Sequence, residues 1–259
     1  YRVSTISSQE ATKEVFKSGF VTLIGRPSAG KSSLLNALMG KKLAISSPTA
    51  QTTRHRFRAV HTTDSHQIII VDTPGVHKPH DTLGEELNTT ALKSLEGIDV
   101  AAFVLDASAP FGTGDEWVIS QLAQCSMPKL LVLSKIDLVT QEELELQRQR
   151  ALEAGQWDGV VALSSVTGEQ IDTFIELVEQ FLPAGPLWFP ADMETDQPIE
   201  VIIAEFIREK ILLTAHDEVP HAVGVVVEDM EYNRRKNLEK IYASVYVERD
   251  SQKGIIIGK

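Results

Sequence analysis

The stretch FVTLIGRPSAGKSSLLNALMG, residues 20–40, decides how this chain folds. It opens with a short apolar run, breaks at Gly25, and resumes with Leu34, Leu35, Leu38 and Met39 at helical spacing before Gly40. The break, GRPSAGKS (25–32), fits G-x-x-x-x-G-K-[ST] between a predicted strand and a predicted helix, the setting that motif requires. Gly25 and Gly30 permit the backbone angles that turn successive N–H groups toward one anion, with Arg26, Pro27, Ser28 and Ala29 completing the loop. The following helix, which continues through Ser33, points its positive end at the same place. Lys31 is expected to reach the β- and γ-phosphates of a nucleotide, and Ser32 to ligate Mg²⁺.

Outward from this stretch the rhythm repeats. HQIIIVD (66–72), VAAFVLD (100–106), KLLVLSK (129–135) and GVVALSS (159–165) are short apolar runs, and helix-like segments lie at 83–95, 114–124, 141–154 and 168–182. Apolar strands alternating with helices predict an α/β fold, a mostly parallel sheet covered on both faces. The rhythm breaks at LPAGPLWFPADMETDQP (182–198), whose four prolines mark a linker. Beyond it the pattern predicts a helix at 199–214, strands at 221–231 and 238–249, and a turn at 233–236. The expected division is an N-terminal extension (1–18), a nucleotide-binding domain (19–183), a linker (184–198) and a smaller α+β domain (199–259).

Bulk composition sets limits. The 259 residues are 42% hydrophobic and 24% charged, an ordinary globular balance. The net charge of -11 argues against binding polyanions through overall electrostatics, so nucleic-acid contact requires a local basic region. Residues 234–259 supply one, with seven Lys/Arg against three Asp/Glu. The lone Cys125 reads as a buried thiol near a strand start. No apolar run approaches the roughly 18 residues that span a bilayer, and the expected location is cytoplasmic.

Three further segments carry chemistry. Asp72, Thr73, Pro74 and Gly75 follow an apolar strand, where a carboxylate is expected to hold Mg²⁺ and the Gly75 N–H to sense the γ-phosphate. In QTTRH (51–55), Thr53, or else Thr52, is the hydroxyl expected to close over the metal. Lys31, Thr53 and Gly75 are thus the candidate catalytic residues; Ser32, Thr53 and Asp72 are the candidate metal ligands. In LVLSKIDLV (130–138), Asp137 offers two acceptor oxygens to the N1–H and amine of guanine, a donor pair that adenine lacks. Lys135 is expected to lie along the base and tie back to the phosphate loop. Ser164 and Ser165 are expected to bring backbone N–H groups to the base oxygen. Val76 cannot orient a water, so intrinsic hydrolysis is expected to be slow; the adjacent His77 reads as an ordinary surface residue.

In this order the segments resemble a translation-factor-class GTPase. AQTTRHRFRAV, VDTPGVHKP, LPAGPLWFP, AEFIREKILL and YVERDSQKGIIIGK narrow the resemblance to the Era family of bacterial ribosome-assembly GTPases, over residues 19–259. The resemblance implies a GTPase domain followed by a type II KH domain, here incomplete. It also implies GTP/GDP and Mg²⁺ as ligands, and GTP hydrolysis coupled to binding small-subunit ribosomal RNA during 30S assembly. A monomer with loose attachment to the inner membrane surface is expected. A G-x-x-G loop clamps nucleic acid in KH domains, and Gly258 and Lys259 match its first two positions. These 259 residues are therefore expected to bind nucleotide but to bind RNA weakly.

Three positions depart from the family. Ser28 stands where relatives use an asparagine to hold a potassium ion. Ser165 stands for an alanine. Ser134 stands for an asparagine that holds the base edge and neighbouring loops, so affinity is expected to fall by the order of one hydrogen bond, about 1 kcal/mol. The competing readings are a P-loop ATPase or nucleotide kinase, and a ribosome-binding scaffold in which the nucleotide is structural.

Overall fold

The structure, a computed structural model, describes residues 15–45, 57–72, 95, 97–214 and 223–257. The expected helix at 83–95 lies almost wholly outside these residues, as do the Thr52, Thr53, Thr73, Pro74, Gly75, Val76, His77, Gly258 and Lys259 assignments.

Six strands form one sheet in the order β2-β3-β1-β4-β5-β6. They are β1 (Lys17–Ile24), β2 (Phe57–Thr62), β3 (His66–Asp72), β4 (Val100–Asp106), β5 (Lys129–Ser134) and β6 (Gly159–Ala162). All pairings are parallel except β2 with β3. The antiparallel β2 was not anticipated. FRAVHT has no continuous apolar run, because an edge strand buries little more than Ala59 and Val60.

The central strands read as unbroken apolar runs because both faces are covered. Ala102 and Val104 of β4 join Leu34, Leu35 and Phe174 on one face, under helices α1 (Lys31–Met39) and α4 (Ile171–Phe181). Ala101, Phe103 and Leu105 point the other way, toward Val118, Leu122 and Ala151 of α2 (Thr113–Leu122) and α3 (Gln141–Ala154). The Phe103 and Trp157 rings stack there at 5.6 Å.

The proline-rich segment is a strap along the sheet. Its Pro183 carbonyl accepts from the Ser18 N–H, and Ser18 Oγ donates to Pro186 O at 2.6 Å. Gln67 is fully buried (0% exposed) and serves the strap with both ends of its amide. Its Oε1 accepts from the Trp188 and Phe189 N–H groups, and its Nε2 donates to Phe189 O. Farther on, the Val60 N–H donates to Glu194 O.

After the strap come α5 (Ile199–Thr214), a hairpin of β7 (Val223–Asn233) and β8 (Leu238–Val247), and α6 (Asp250–Ile257). The helix α6 was not anticipated: Gly254 and three consecutive isoleucines are poor helix formers. Val223, Val225 and Val247 on one face of the hairpin pack with Ile211 of α5 and Ile256 of α6. No helix among the described residues is long and apolar enough to cross a membrane.

Candidate nucleotide-binding site

The parallel strands deliver the predicted site residues to one edge of the sheet. The 25–32 loop leaves the C-terminal end of β1, Asp72 ends β3, Asp106 ends β4, Ser134 ends β5, and Ser164 follows β6. Ligands of open α/β sheets bind at such carboxyl ends. Register sets Asp72 beside Leu23, two residues before Gly25.

The loop is shaped as an anion cradle. Gly30 has φ 98°, the left-handed region, and Ser28 sits there as well, at 63°. A Cβ on Gly25 would lie 2.3 Å from the Val104 carbonyl oxygen, so any side chain there displaces the loop from β4. Lys31 is buried (6% exposed), and its Nζ donates to the Gly25 and Arg26 carbonyls at 3.1 and 2.8 Å. Arg26 braces the loop from outside: its Nε pairs with Asp115 at 2.9 Å, and its guanidinium also donates to Pro110 O. Burial pushes the Asp115 carboxyl up from its ordinary value, against the opposing Gly112 N–H and Arg26 charge.

The base-reading loop is tied to the cradle through two neighbouring side chains. Lys135 lays its stem against the phosphate loop, with Cε 3.9 Å from where a Gly30 Cβ would sit, while its ammonium pairs with Asp106. The pairing is local: Lys135 has left-handed backbone angles at the end of β5, next to the end of β4. Burial would raise Asp106, but hydrogen bonds from Lys135 and Ser108 outweigh it and hold the carboxyl below its ordinary value. The hydrogen bond to the loop comes from Ser134, whose Oγ donates to Ala29 O at 2.6 Å and faces Leu105 O at 3.1 Å.

Ser164 also differs from expectation. Its backbone N–H donates to Glu169 O at 3.1 Å, so it is not presented to a base. Its hydroxyl instead donates to Asp137 Oδ1 at 2.6 Å and accepts from the Val166 and Thr167 N–H groups. That leaves Ser165 as the candidate for the backbone contact. The short SS segment gave no hint that a side chain was the working part. Cys125 is half-buried, with Sγ near Gln121 O.

The residues fit a nucleotide with Mg²⁺. Loop glycines and a helix N-terminus suit phosphate, and the Ser32 hydroxyl with the Asp72 carboxylate is a hard-oxygen donor set of the kind Mg²⁺ prefers.

Comparison with known proteins agrees. The family profile described as "50S ribosome-binding GTPase" matches residues 20–135. Proteins named GTPase Era from Alkaliphilus metalliredigens and Crocosphaera subtropica are 41% and 42% identical, over 94% and 99% of this chain and 83% and 82% of their own. The chain belongs to the Era family of GTPases. Two solved Era structures superpose with a TM-score of 0.86, each covering 94% of this chain and 83% of the other. One, 34% identical, is Era in complex with MgGDPNP and nucleotides 1506–1542 of 16S ribosomal RNA. The other, 33% identical, is a point variant of Aquifex aeolicus Era bound to GDP.AlF4-.

Proposed function

We propose that this Era-family GTPase couples its nucleotide state to binding of small-subunit ribosomal RNA during 30S assembly. The observation that carries the nucleotide half is the Asp137–Ser164 hydrogen bond, on a loop that Ser134 fastens to the phosphate cradle. Asp137, oriented by Ser164, accepts from the N1–H and amine of guanine. The 25–32 backbone cradles the phosphates, Lys31 trades its loop carbonyls for phosphate oxygens, and the helix dipole of α1 adds its positive end. Ser32, Thr53 and Asp72 would hold Mg²⁺, whose charge offsets that developing on the phosphates. Thr53 and the Gly75 N–H respond to the γ-phosphate, which makes them the switch elements.

The RNA half is supported by the Era–16S RNA complex and by the α5-β7-β8-α6 order, which suits the first part of a type II KH domain. The 16S fragment favours the small subunit over the "50S" wording of the family profile. A cytoplasmic monomer with peripheral membrane attachment belongs to the same reading.

The test is an anisotropy titration of a labelled RNA carrying the 3′ end of small-subunit rRNA. GDPNP is expected to tighten binding over GDP by at least fivefold, about 1 kcal/mol of coupling. Equal affinity in the two states contradicts the proposal, whatever the absolute affinity.

A further inference from the structure

We infer that Ser134 is a positioning residue for the phosphate loop that gives no hydrogen bond to the base, so that guanine N7 goes unread. The inference rests on the guanine-binding reading above. Ser134 is 1% exposed and ends β5 directly beneath the loop. A hydroxyl has one hydrogen to give. Here both groups in reach as acceptors are backbone carbonyls, Ala29 O at 2.6 Å and Leu105 O at 3.1 Å. Ala29 is itself buried and immediately precedes Gly30, the left-handed turn of the cradle.

The fit is close on the other side too. A Cβ on Gly30 would meet Ser134 Oγ in van der Waals contact at 3.4 Å, so the hydroxyl sits beside the left-handed turn of the loop. The N7 and O6 atoms of guanine are both acceptors. Donating to N7 would take the single hydrogen from the Ala29 carbonyl and leave that buried acceptor unsatisfied. An asparagine has two amide hydrogens and serves a loop carbonyl and a base acceptor together. The serine keeps the first task and drops the second. Base selection then falls to Asp137, which faces the donor edge of guanine and is held by Ser164.

The experiment compares equilibrium binding of GDP and 7-deaza-GDP, which lacks N7, to the wild type, Ser134→Ala and Ser134→Asn. The wild type is expected to bind both within about twofold, since no protein donor loses its partner when the N7 acceptor is removed. Ser134→Ala is expected to weaken both by about tenfold with their ratio unchanged, because the loop rather than the base contact is damaged. Ser134→Asn is expected to open a preference for GDP of about fivefold through its second amide hydrogen. A wild type that prefers GDP tenfold or more overturns the inference, as does unaltered affinity in Ser134→Ala. If Ser134→Ala fails to fold, the wild-type ratio and Ser134→Asn still decide. A wild type that binds ADP as well as GDP refutes the guanine reading itself, a separate result.

Discussion

A hydrogen bond of 2.6 Å from Ser164 fixes one oxygen of Asp137, and the guanine reading depends on that carboxylate being held still. Ser164→Ala is expected to weaken GDP binding by about 2 kcal/mol, the range for a hydrogen bond to a charged group, with a larger share in the dissociation rate; stopped-flow release of a fluorescent GDP measures it. Asp106 gives a pH signature. Its carboxyl is held below the ordinary value, so its contribution to stability is complete above that value and is lost as pH falls through the lowered one. Urea unfolding from about pH 5 downward should therefore show a shallower acid limb in Asp106→Asn than in the wild type. At this scale Lys31 and Asp137 were legible because the motif and its strand context specify them. The hydroxyl of Ser164 and the Asp106–Lys135 pair were not, because both depend on neighbouring strand ends meeting in space.

Among the elements, the strap shows where sequence reading stops. Prolines at 183, 186, 190 and 198 marked it as irregular, yet they said nothing of its being bonded down. The anchor is Gln67, a polar residue inside β3 that a period-two pattern treats as an exception. Its buried amide satisfies two strap N–H groups and one carbonyl. Gln67→Ala leaves these groups without their partner and is expected to cost about 3 kcal/mol in urea unfolding, with faster proteolysis between 184 and 198. An unchanged midpoint and cleavage rate would show that the strap holds without it. The buried strands were legible for the opposite reason, since a strand covered on both faces is continuously apolar. The edge strand β2 and the helix α6 lack that constraint, and local pattern alone did not find them.

At the scale of the whole molecule, charged side chains join the nucleotide-binding domain to the strap and to α5. Lys41 pairs with Glu194 of the strap, and Lys42 pairs with the buried Glu209 of α5 while lying over the Phe206 ring at 5.5 Å. Both lysines lie between α1 and Thr53, the residue expected to answer the γ-phosphate, so the nucleotide site and α5 are joined through the same stretch of chain. A double-mutant cycle of Lys42→Ala and Glu209→Gln is expected to give a coupling of about 1–2 kcal/mol in unfolding. The cycle should also shrink the GDPNP-over-GDP difference in RNA affinity. An additive cycle would deny the pair this role. None of these contacts was legible in the sequence, because each joins residues more than 150 positions apart.

The most direct measurement is equilibrium binding of GDP, ADP and XDP to the wild type and to Asp137→Asn. GDP is expected to bind the wild type at least about a hundredfold better than ADP or XDP, since mismatched polar groups at a buried edge cost more than a lost contact. Asp137→Asn is expected to transfer that preference to XDP, whose base presents an acceptor where guanine has its amine. Equal binding of GDP and ADP, or a variant that keeps its preference for GDP, would contradict the account.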